Sequence, residues 1–544
     1  MKIVVAEKIS SSAIEILREE KRWTVLTPDQ LDGRLATEIA DADALIVRSA
    51  VQADAKLLEH AQKLRVIGRA GVGVDNVDLE AATRRGIAVM NTPGANAVAV
   101  AEHTLAMALA MARHLCRADA LMHAGKWEKK SLQGTELRGK TLGIVGLGRI
   151  GMEVARRARA FGMKVMAHDP FVLQEVAHQA EIELAALDRV LAAADYVTLH
   201  LALTPQSAGI INADTLSKMK KGARLINCAR GELVDEAALA AALRSGHLAA
   251  AALDVFAEEP LKDSPLMSAP NLILTPHIGG STHEAQEAVG VQIAVQVREF
   301  LRRGVMQNAV NVPSVSDEEY AELQPYMTLA ERLGSFIAQA AEGGLEEIAL
   351  QYSGPVASGK TPLVRNAAIA GVLNSVLAEK ANLVNASAMA EERGIRVRET
   401  AKAKVSGGGA GSVITVSLKT REGEHEVKGT VLRGTSPRLL LVDGIDVEAP
   451  LERNLIYLRN RDVPGVIGKI GTILGEAKIN IANFSLGRAE QAARAAHLSS
   501  SQPSGGTGGE AVCVVHVDSR VPDAVLQKLR AIPAITLARA IRLG

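Results

Sequence analysis

Residues 142–162 read LGIVGLGRIGMEVARRARAFG, and this stretch decides how the chain folds. A short apolar run passes into three glycines with GxGxxG spacing and then into an amphipathic helical segment. Glycines at these positions allow a tight turn and let the backbone approach a pyrophosphate, while the helix N-terminus offers free N–H groups and the positive end of its dipole. The order strand, glycines, helix therefore predicts a dinucleotide site, with the binding residues Gly146, Gly148, Arg149, Ile150 and Gly151.

The choice of dinucleotide depends on Asp169, which ends the next strand-like run, residues 164–168. A carboxylate at the end of this second strand accepts hydrogen bonds from the ribose hydroxyls. The same negative charge repels the additional phosphate of NADP. We therefore predict NAD as the cofactor.

Outward from this stretch, residues 1–310 alternate short apolar strands with helical segments, which is typical of parallel sheets covered on both faces. Long helical stretches at 97–122 and 284–303 carry the chain out of a first domain and back into it. We predict an α/β protein with two Rossmann-like domains and a cleft between them, a discontinuous one formed by residues 1–97 plus 285–312 and one formed by residues 98–284. The predicted strands span 2–6, 44–47, 66–68 and 88–91 in the first sheet, and 142–145, 164–168, 196–200, 224–228, 250–255 and 272–275 in the second.

Two further units follow these domains. The sequence NVP at 311–313, followed by SDEE, marks a boundary, after which residues 316–450 have mixed α/β character and form an intervening domain. Residues 454–544 follow the order strand, helix, strand, strand, helix, strand, which predicts a ferredoxin-like βαββαβ domain. Within it, the segment 499–510, SSSQPSGGTGGE, has the low-complexity composition of a mobile loop.

The composition limits the classes of function. Lysines and arginines number 62 against 61 acidic residues, so no overall positive field favours nucleic acid or a membrane surface. Three widely separated cysteines, Cys116, Cys228 and Cys513, have no metal-ligand spacing and are typical of a reducing compartment. The N-terminus does not have the pattern of a signal peptide, and no segment reads as a membrane span. We expect a cytoplasmic protein without a bound metal, nucleic acid or membrane.

Three segments follow predicted strands of the second sheet, at the edge where ligands bind in open α/β sheets. They read NCARG (227–231), DVFAEEP (254–260) and TPHIGG (275–280). This ordered trio resembles the D-isomer-specific 2-hydroxyacid dehydrogenases, and the resemblance covers residues 1–310.

The resemblance implies a site that removes a hydride from C2 of a 2-hydroxy acid. His277 would be the base that takes the hydroxyl proton, a task that suits histidine near neutral pH. Glu259 would hold the other ring nitrogen and stabilise the imidazolium. Arg230 would bind the substrate carboxylate and polarise the C2 oxygen. The resemblance adds further cofactor-binding residues: Asp254, expected beside the nicotinamide carboxamide, and Cys228, Ala229, Gly279 and Gly280.

The identity of the hydroxy acid depends on two loops of the first domain, VRS (47–49) and GRAGVGVDN (68–76). Two arginines beside a glycine-rich loop suit a phosphorylated substrate. The side chains of Arg48 and Arg69 would bind the phosphate. The backbone N–H groups of Gly71, Val72 and Gly73 would bind the carboxylate.

These loops, together with NTPGAN (91–96), are similar to the phosphoglycerate dehydrogenases within the family. The resemblance implies D-3-phosphoglycerate as the substrate and places Asn96 in the site. Lys129 departs from the pattern, because many relatives have arginine there, and this departure weakens the case for a bidentate phosphate contact from that loop.

Residues 354–361, GPVASGKT, match the nucleotide-binding expression GxxxxGK[ST]. A phosphate-binding loop of this type needs Lys360 and Thr361 inside the first helical turn, but Pro362 disfavours helical geometry at Thr361. We predict instead that Thr361 caps a helix with proline at its first position, and that no nucleotide is hydrolysed here. The region resembles the intervening domain of long phosphoglycerate dehydrogenases, which makes contacts between subunits.

The last unit contains LIYLRNRDVPGVIGKIG (455–471) and INIAN (479–483). These segments resemble an ACT domain, in which sheets pair across subunits and an amino acid binds in the interface. By this resemblance Asp462 and Asn480 would bind the effector, expected to be L-serine. The expected assembly is a homotetramer.

Two other classes of function stay open. One is a related dehydrogenase that acts as a hydroxypyruvate, glyoxylate or 2-oxoglutarate reductase. The other is a binding protein without catalysis, either a dinucleotide-sensing scaffold on the same fold or a sensor gated by the ACT domain. Turnover of any hydroxy acid excludes both kinds of binding protein.

Overall fold

The computed structural model describes residues 1–402, 411–489 and 509–543. In this part of the chain the strands form two parallel sheets, one mixed sheet and one antiparallel sheet, which confirms the predicted α/β class. The predicted loop at 499–510 lies outside the described residues except for Gly509 and Glu510. None of the described helices is long and apolar enough to cross a membrane.

The first domain is a five-stranded parallel sheet with short helices between its strands. The strands are β1 (Lys2–Val5), β2 (Thr24–Leu26), β3 (Ala44–Val47), β4 (Val66–Arg69) and β5 (Ala88–Met90). The helices are α1 (Ser11–Arg18), α2 (Pro28–Leu31), α3 (Leu35–Glu38), α4 (Ala55–His60) and α5 (Leu79–Arg84). The strand order β2-β1-β3-β4-β5 reverses between β1 and β3, so the loops after these strands flank a crevice where ligands bind in open sheets.

The connection to the second domain is a broken helix. Helix α6 (Ala97–Arg113) ends where His114 adopts a left-handed conformation, with φ of 54°, and α7 (Leu115–His123) begins immediately after it. The prediction of one helix over residues 97–122 is therefore wrong at His114, where no glycine or proline marks the break.

The second domain is a seven-stranded parallel sheet. Its strands are β6 (Thr141–Val145), β7 (Lys164–His168), β8 (Glu183–Leu184), β9 (Tyr196–Leu199), β10 (Arg224–Asn227), β11 (Ala250–Leu253) and β12 (Leu272–Leu274). Its helices are α8 (Arg149–Ala160), α9 (Gln174–Gln179), α10 (Leu187–Ala193), α11 (Ala213–Lys218) and α12 (Glu236–Arg244). The order β12-β11-β10-β9-β6-β7-β8 reverses between β6 and β9, so the loop after β6 again faces a crevice.

Helix α13 (His283–Arg303) returns to the first domain and packs against α1 and β4. The close approach requires Gly68, because a Cβ there would lie 2.8 Å from side-chain atoms of Ile293 and Val297. The chain thus completes its first domain only after it has built the second one.

The intervening domain packs two long helices on a six-stranded sheet. Its helices are α14 (Asp317–Ala340), α15 (Thr361–Val376) and α16 (Ala386–Glu392). Its strands are β13 (Leu345–Ser353), β14 (Arg396–Lys402), β15 (Val413–Thr420), β16 (Glu424–Leu432), β17 (Ser436–Val442) and β18 (Ile445–Pro450), in the order β14-β13-β15-β16-β17-β18.

The GPVASGKT segment does not form a phosphate-binding loop. The Nζ of Lys360 lies 2.9 Å from the carboxylate of Glu319 and also contacts the carbonyl of Ser314, so its charge is used inside the domain. Helix α15 starts at Thr361, and Lys360 is its N-cap. The predicted cap is therefore wrong by one residue, because the Lys360 carbonyl already accepts the N–H of Leu363.

The last domain has the predicted βαββαβ order. Its elements are β19 (Asn454–Arg461), α17 (Val466–Glu476), β20 (Ile481–Arg488), β21 (Glu510–Val517), α18 (Asp523–Arg530) and β22 (Ile535–Arg542), with the sheet order β20-β21-β19-β22. One face of the sheet packs on the domain's own helices, and the other faces α14, where Tyr457 meets Phe336 edge to face at 5.5 Å between ring centroids.

Candidate active site

A histidine–carboxylate pair lies at the cleft edge of the second sheet. His277 follows β12, and its Nδ1 lies 2.8 Å from Oε2 of Glu259. The other carboxylate oxygen of Glu259 accepts the Phe256 N–H at 3.1 Å, which fixes the carboxylate. Because Nδ1 is held in this way, Nε2 is the nitrogen that remains for a substrate.

The backbone at His277 is held in a conformation that few side chains favour. Its φ is 53°, in the left-handed region, and its N–H donates to the carbonyl of Asp254 at 2.8 Å. Such conformations cost energy and persist where the surroundings enforce them, often at functional sites.

Asp254 is the buried anchor of this loop. Its carboxylate accepts from Thr275 Oγ1 at 2.6 Å, from the Ile278 N–H at 2.9 Å and from the Gly279 N–H at 2.7 Å. Burial alone would raise the pKa of Asp254, but the hydrogen bonds from His103, Thr275 and the backbone outweigh it and hold the pKa below its usual range. Asp254 is therefore an ionised carboxylate, and it fixes the loop from Thr275 to Gly279.

Arg230 reaches across the cleft to the first domain. It follows β10, and its Nε donates to Oδ2 of Asp75 at 3.0 Å, while Nη1 donates to the Ala229 carbonyl at 2.6 Å. Gly73 makes this approach possible, because a Cβ at that position would lie 1.8 Å from Nη2 of Arg230. The side chain thus lies directly against the glycine-rich loop after β4.

Arg69 adds a second positive charge beside that loop. Its guanidinium covers Gly71, where a Cβ would lie 1.5 Å from Nη1, and its buried Nε has no hydrogen-bond partner in the described part of the chain. Burial, followed by the nearby charge of Arg230, lowers the pKa of Arg69 to about 10. A buried guanidinium with an unpaired donor beside a like charge is stabilised by an anion that accepts from it.

Arg48 lies in the neighbouring loop after β3, but its side chain is partly engaged within the protein. Nη1 donates to the Lys8 carbonyl at 3.2 Å, and Nη2 contacts Oε1 of Gln286 in α13. The backbone of the same loop is held by Glu7, whose carboxylate accepts the N–H groups of Arg48 at 2.8 Å and Val51 at 3.0 Å.

Asn96 closes the site at the start of α6. Its Nδ2 lies 3.1 Å from the position that a Cβ would occupy at Gly280, and its buried Oδ1 has no partner among the described residues. The structure therefore brings Asn96 of the connecting segment against the Gly279–Gly280 turn of the second domain.

The glycine loop after β6 fits a dinucleotide. A Cβ at Gly146 would lie 2.6 Å from the His200 carbonyl oxygen, and one at Gly151 would lie 2.2 Å from the Gly146 carbonyl oxygen, so both positions require glycine. At Gly148, by contrast, a Cβ would meet nothing within 4 Å, so open space lies directly at the N-terminus of α8. This arrangement leaves room for a phosphate beside free N–H groups.

Asp169 lies close to this loop. Its Oδ2 accepts the Leu147 N–H at 2.8 Å, and its Oδ1 accepts the Phe171 N–H at 2.9 Å. Its carboxylate therefore both shapes the loop and lies where the ribose is expected.

The remaining predicted cofactor residues have different environments. Cys228 and Ala229 are buried below the cleft, and burial raises the pKa of the Cys228 thiol to about 12, so the sulfur is a neutral wall rather than a nucleophile. Ile150 is half-buried in the first turn of α8. The guanidinium of Arg149 contacts the carbonyl of Pro93, which makes it a second bridge between the two domains.

Comparisons with known proteins show which family the chain belongs to. Residues 105–279 match the model of the D-isomer specific 2-hydroxyacid dehydrogenase NAD binding domain, residues 322–443 that of the D-3-phosphoglycerate dehydrogenase intervening domain, and residues 455–534 that of the ACT domain. The D-3-phosphoglycerate dehydrogenase of Methanocaldococcus jannaschii is 41% identical, with all of both chains covered. The D-3-phosphoglycerate dehydrogenase of Bacillus subtilis is 37% identical, and the alignment covers all of this chain and 99% of the relative.

The chain belongs to the D-3-phosphoglycerate dehydrogenase family of D-isomer-specific 2-hydroxyacid dehydrogenases. It is an NAD-dependent enzyme, as its glycine loop predicts. Among solved structures, an NAD-dependent formate dehydrogenase of Staphylococcus aureus in complex with NAD superposes with a TM-score of 0.52 at 30% identity, covering 58% of this chain and all of its own. A glyoxylate reductase of Paecilomyes thermophila gives a TM-score of 0.52 at 31% identity, with 57% and 98% covered.

The two predicted effector residues of this dehydrogenase do not meet within one chain. Asp462 follows β19 and lies 3.0 Å from Nε of Arg488, and its N–H donates to the carbonyl of Gly509 just before β21. Asn480 precedes β20 and donates to Asp518 at 2.7 Å, just after β21. The eight residues of β21 separate them, which at about 3.3 Å per residue is roughly 26 Å.

Several residues of the dehydrogenase site were not found from the sequence. Asp75 lies within the quoted loop, but nothing local links it to Arg230. Glu7 holds the loop that carries Arg48. His103 contacts Asp254 at 3.4 Å. The position of Glu7 two residues after β1, at a sheet edge that binds ligands, is the one signal that could have drawn attention to it.

Proposed function

We propose that the enzyme oxidises D-3-phosphoglycerate to 3-phosphohydroxypyruvate with NAD, the first step of the phosphorylated route to L-serine. The observation that carries this proposal is the pair of guanidinium groups, Arg69 and Arg230, beside the glycine loop of residues 71–73. D-3-phosphoglycerate brings a carboxylate and a phosphate to this cleft. Its charges match a site in which a buried Arg69 nitrogen has no partner among the described residues.

His277 removes the proton of the C2 hydroxyl. Because Nδ1 faces Glu259 at 2.8 Å, the resting ring carries its proton on Nδ1 and presents Nε2 to the hydroxyl. As the hydroxyl proton moves to Nε2, the ring becomes an imidazolium that Glu259 stabilises. The glycine loop after β6 would hold NAD, which would supply the acceptor for the hydride from C2.

The cationic groups orient the substrate. Arg230 lies close enough to the glycine loop to bind the carboxylate and polarise the C2 oxygen while N–H groups of residues 71–73 bind the same carboxylate. Arg69, with Arg48 in the next loop, binds the phosphate, and Asn96 contacts the substrate from the start of α6. Closing the cleft over these groups excludes water and strengthens each contact.

The direct test is NADH formation from D-3-phosphoglycerate, compared with D-glycerate, D-lactate and D-2-hydroxyglutarate. We expect D-3-phosphoglycerate to have a kcat/KM at least about 100-fold above that of D-glycerate, because removing the phosphate leaves Arg69 unpaired. Equal or faster turnover of a substrate without phosphate would contradict the proposal and favour the reductase alternatives. A lack of turnover of D-3-phosphoglycerate would refute the proposed substrate.

The same proposal includes assembly and regulation. Helix α7 buries none of its residues, and Leu115, Met122 and the neighbouring Trp127 are exposed, so this arm is suited to a first interface with a second copy. Pairing of the C-terminal domains, with L-serine bound between them, is a second interface. Two different two-fold contacts on one chain produce a homotetramer when their axes cross at right angles. Light scattering measures this state, and a monomer would contradict it.

The cytoplasm is the proposed location of this assembly. Its basis is the chain's three cysteines, which form no disulfide and include the buried thiols of Cys228 and Cys513. Fractionation of cells that express the protein tests this location.

A further inference from the structure

Asp75 and Arg230 form a direct bridge between the two domains that flank the cleft. Asp75 lies in the loop after β4 of the first domain, and Arg230 follows β10 of the second. The hydrogen bond from Arg230 Nε to Asp75 Oδ2 is 3.0 Å long. The two residues are 155 positions apart in the chain, so only the arrangement of the domains brings them together.

The bridge fixes which part of the guanidinium is available. Nε is held by Asp75, and Nη1 is held by the Ala229 carbonyl at 2.6 Å. Nη2 has no such partner among the described residues and lies against Gly73, in the loop proposed to bind the substrate carboxylate. Two contacts on different nitrogens therefore set both the position and the rotation of the planar group.

The bridge also balances charge in the cleft. Arg69 and Arg230 lie near each other, and the charge of Arg230 disfavours the protonated form of Arg69, whereas the charge of Asp75 favours it. Without the carboxylate, mutual repulsion would drive the Arg230 side chain away from Arg69 and toward solvent. Asp75 is more than half exposed, so the pair adds little to folding stability and its contribution is geometric.

We propose that Asp75 is a positioning residue that holds Arg230 in its working orientation across the closed cleft. This inference rests on the role of Arg230 in the proposed function. In this arrangement the carboxylate of Asp75 accepts from Nε of Arg230. It acts through Arg230, and the pair forms only when the two domains approach as they do here.

The experiment is a double-mutant cycle on the full-length enzyme with D-3-phosphoglycerate and NAD. The variants are Asp75→Ala, Arg230→Ala and the double variant, with Asp75→Asn to restore the hydrogen-bond acceptor without its charge. Glu80→Gln, at an exposed acid in the same domain that pairs with Arg84, is the matched control. Each variant is measured for kcat, KM of both substrates, NAD binding and thermal stability.

We expect Asp75→Ala to lower kcat/KM for D-3-phosphoglycerate about 10- to 100-fold, because a shift of about 1 Å in a positioned group has an effect of this size. NAD affinity and thermal stability should stay at wild-type values, and Asp75→Asn should recover part of the loss. In the Arg230→Ala background, removal of Asp75 should have no further effect, since the two residues act as one unit.

Equal losses from Asp75→Ala in both backgrounds would overturn the inference, because the residue would then act independently of Arg230. A kcat/KM within about twofold of wild type in Asp75→Ala would overturn it as well. Normal activity of Arg230→Ala would instead refute the role of Arg230 in the proposed function, and with it the reason for a positioning residue. The first two outcomes leave the proposed function intact, so the failures are distinguishable.

Discussion

The catalytic cleft and the C-terminal domain differ in how they bring distant residues together. In the cleft, Asp75 pairs with Arg230 and Glu259 pairs with His277, although the four residues come from four separate loops of one chain. In the C-terminal domain, Asp462 and Asn480 are as close in sequence as Glu259 and His277 are, yet they lie at opposite ends of β21. Sequence distance is therefore a poor guide to which residues share a site.

The strand directions explain the difference. In a parallel sheet every strand ends at the same edge, so loops that follow successive strands collect there. In the βαββαβ domain, β19 and β20 both run antiparallel to β21 and hence parallel to each other. The residue after β19 and the residue before β20 consequently lie at opposite ends of the strands. A site that uses both residues needs a second copy of the domain, oriented so that one strand end of the first copy meets the other strand end of the second.

The largest expected effect tests whether His277 is the catalytic base of the cleft. His277→Asn removes the proposed base but suits the left-handed backbone, because asparagine tolerates this conformation. We expect kcat to fall by about 10²-fold or more, with little change in NAD affinity, when NADH formation is followed with D-3-phosphoglycerate.

The matched control for this variant is His178→Asn, an exposed histidine in α9 of the same domain, which should have wild-type kinetics. A kcat of His277→Asn within a few-fold of wild type across the pH range would contradict the proton-transfer role.

The next effect tests whether the effector site is shared between chains. Asp462→Ala and Asn480→Ala should each abolish inhibition by L-serine in a homo-oligomer. When the two variants are combined in one oligomer, one composite site of each pair keeps both residues. Sensitivity to serine should therefore return in the mixed enzyme, although neither variant has it alone.

The measurement is the ratio of rates with and without L-serine, for separately tagged variants expressed together and purified through both tags. A coupling of about 1–3 kcal/mol corresponds to a rate or affinity change of about 5- to 150-fold. Glu476→Ala, an exposed acid at the end of α17, is the control that should keep wild-type sensitivity. A mixed enzyme as insensitive as its parents would refute the shared site, and a wild type that ignores serine would refute the effector.

The fold was predicted well where helices cover a strand on both faces. The predicted bounds of β3 and β7, residues 44–47 and 164–168, agree with the structure. Strands β2 and β8 were missed, because each is a two- or three-residue strand at the edge of its sheet, with one neighbour and few apolar positions to give a signal. The break at His114 was missed for a different reason, since the surrounding sequence favours a continuous helix.

The predicted site residues stand on loops at strand ends, and this is why a linear pattern could find them. Residues such as His277 and Arg230 occur in motifs that can be read without knowing the fold. Asp75 and His103 have their partners across a domain boundary or on another helix, at Arg230 and Asp254. Their contacts depend on how the two domains approach, and no local pattern contains that information.

The smallest expected effect concerns the cofactor end of the cleft, where charge and loop geometry are combined in Asp169. Asp169→Asn keeps an oxygen that can accept the Leu147 N–H, now 2.8 Å from Oδ2, and removes the negative charge. Two like charges near a protein surface repel by about 1–4 kcal/mol at close range, so losing one of them favours the 2′-phosphate of NADP. We expect the ratio of kcat/KM for NADP to that for NAD to rise about 10-fold or more, while kcat with NAD changes little.

Asp188→Asn, at an exposed acid on α10 of the same domain, should leave the ratio unchanged. If wild type already uses NADP as well as NAD, or if the ratio is the same in Asp169→Asn, the carboxylate does not face the ribose, and its hydrogen bonds to Leu147 and Phe171 are then its whole function.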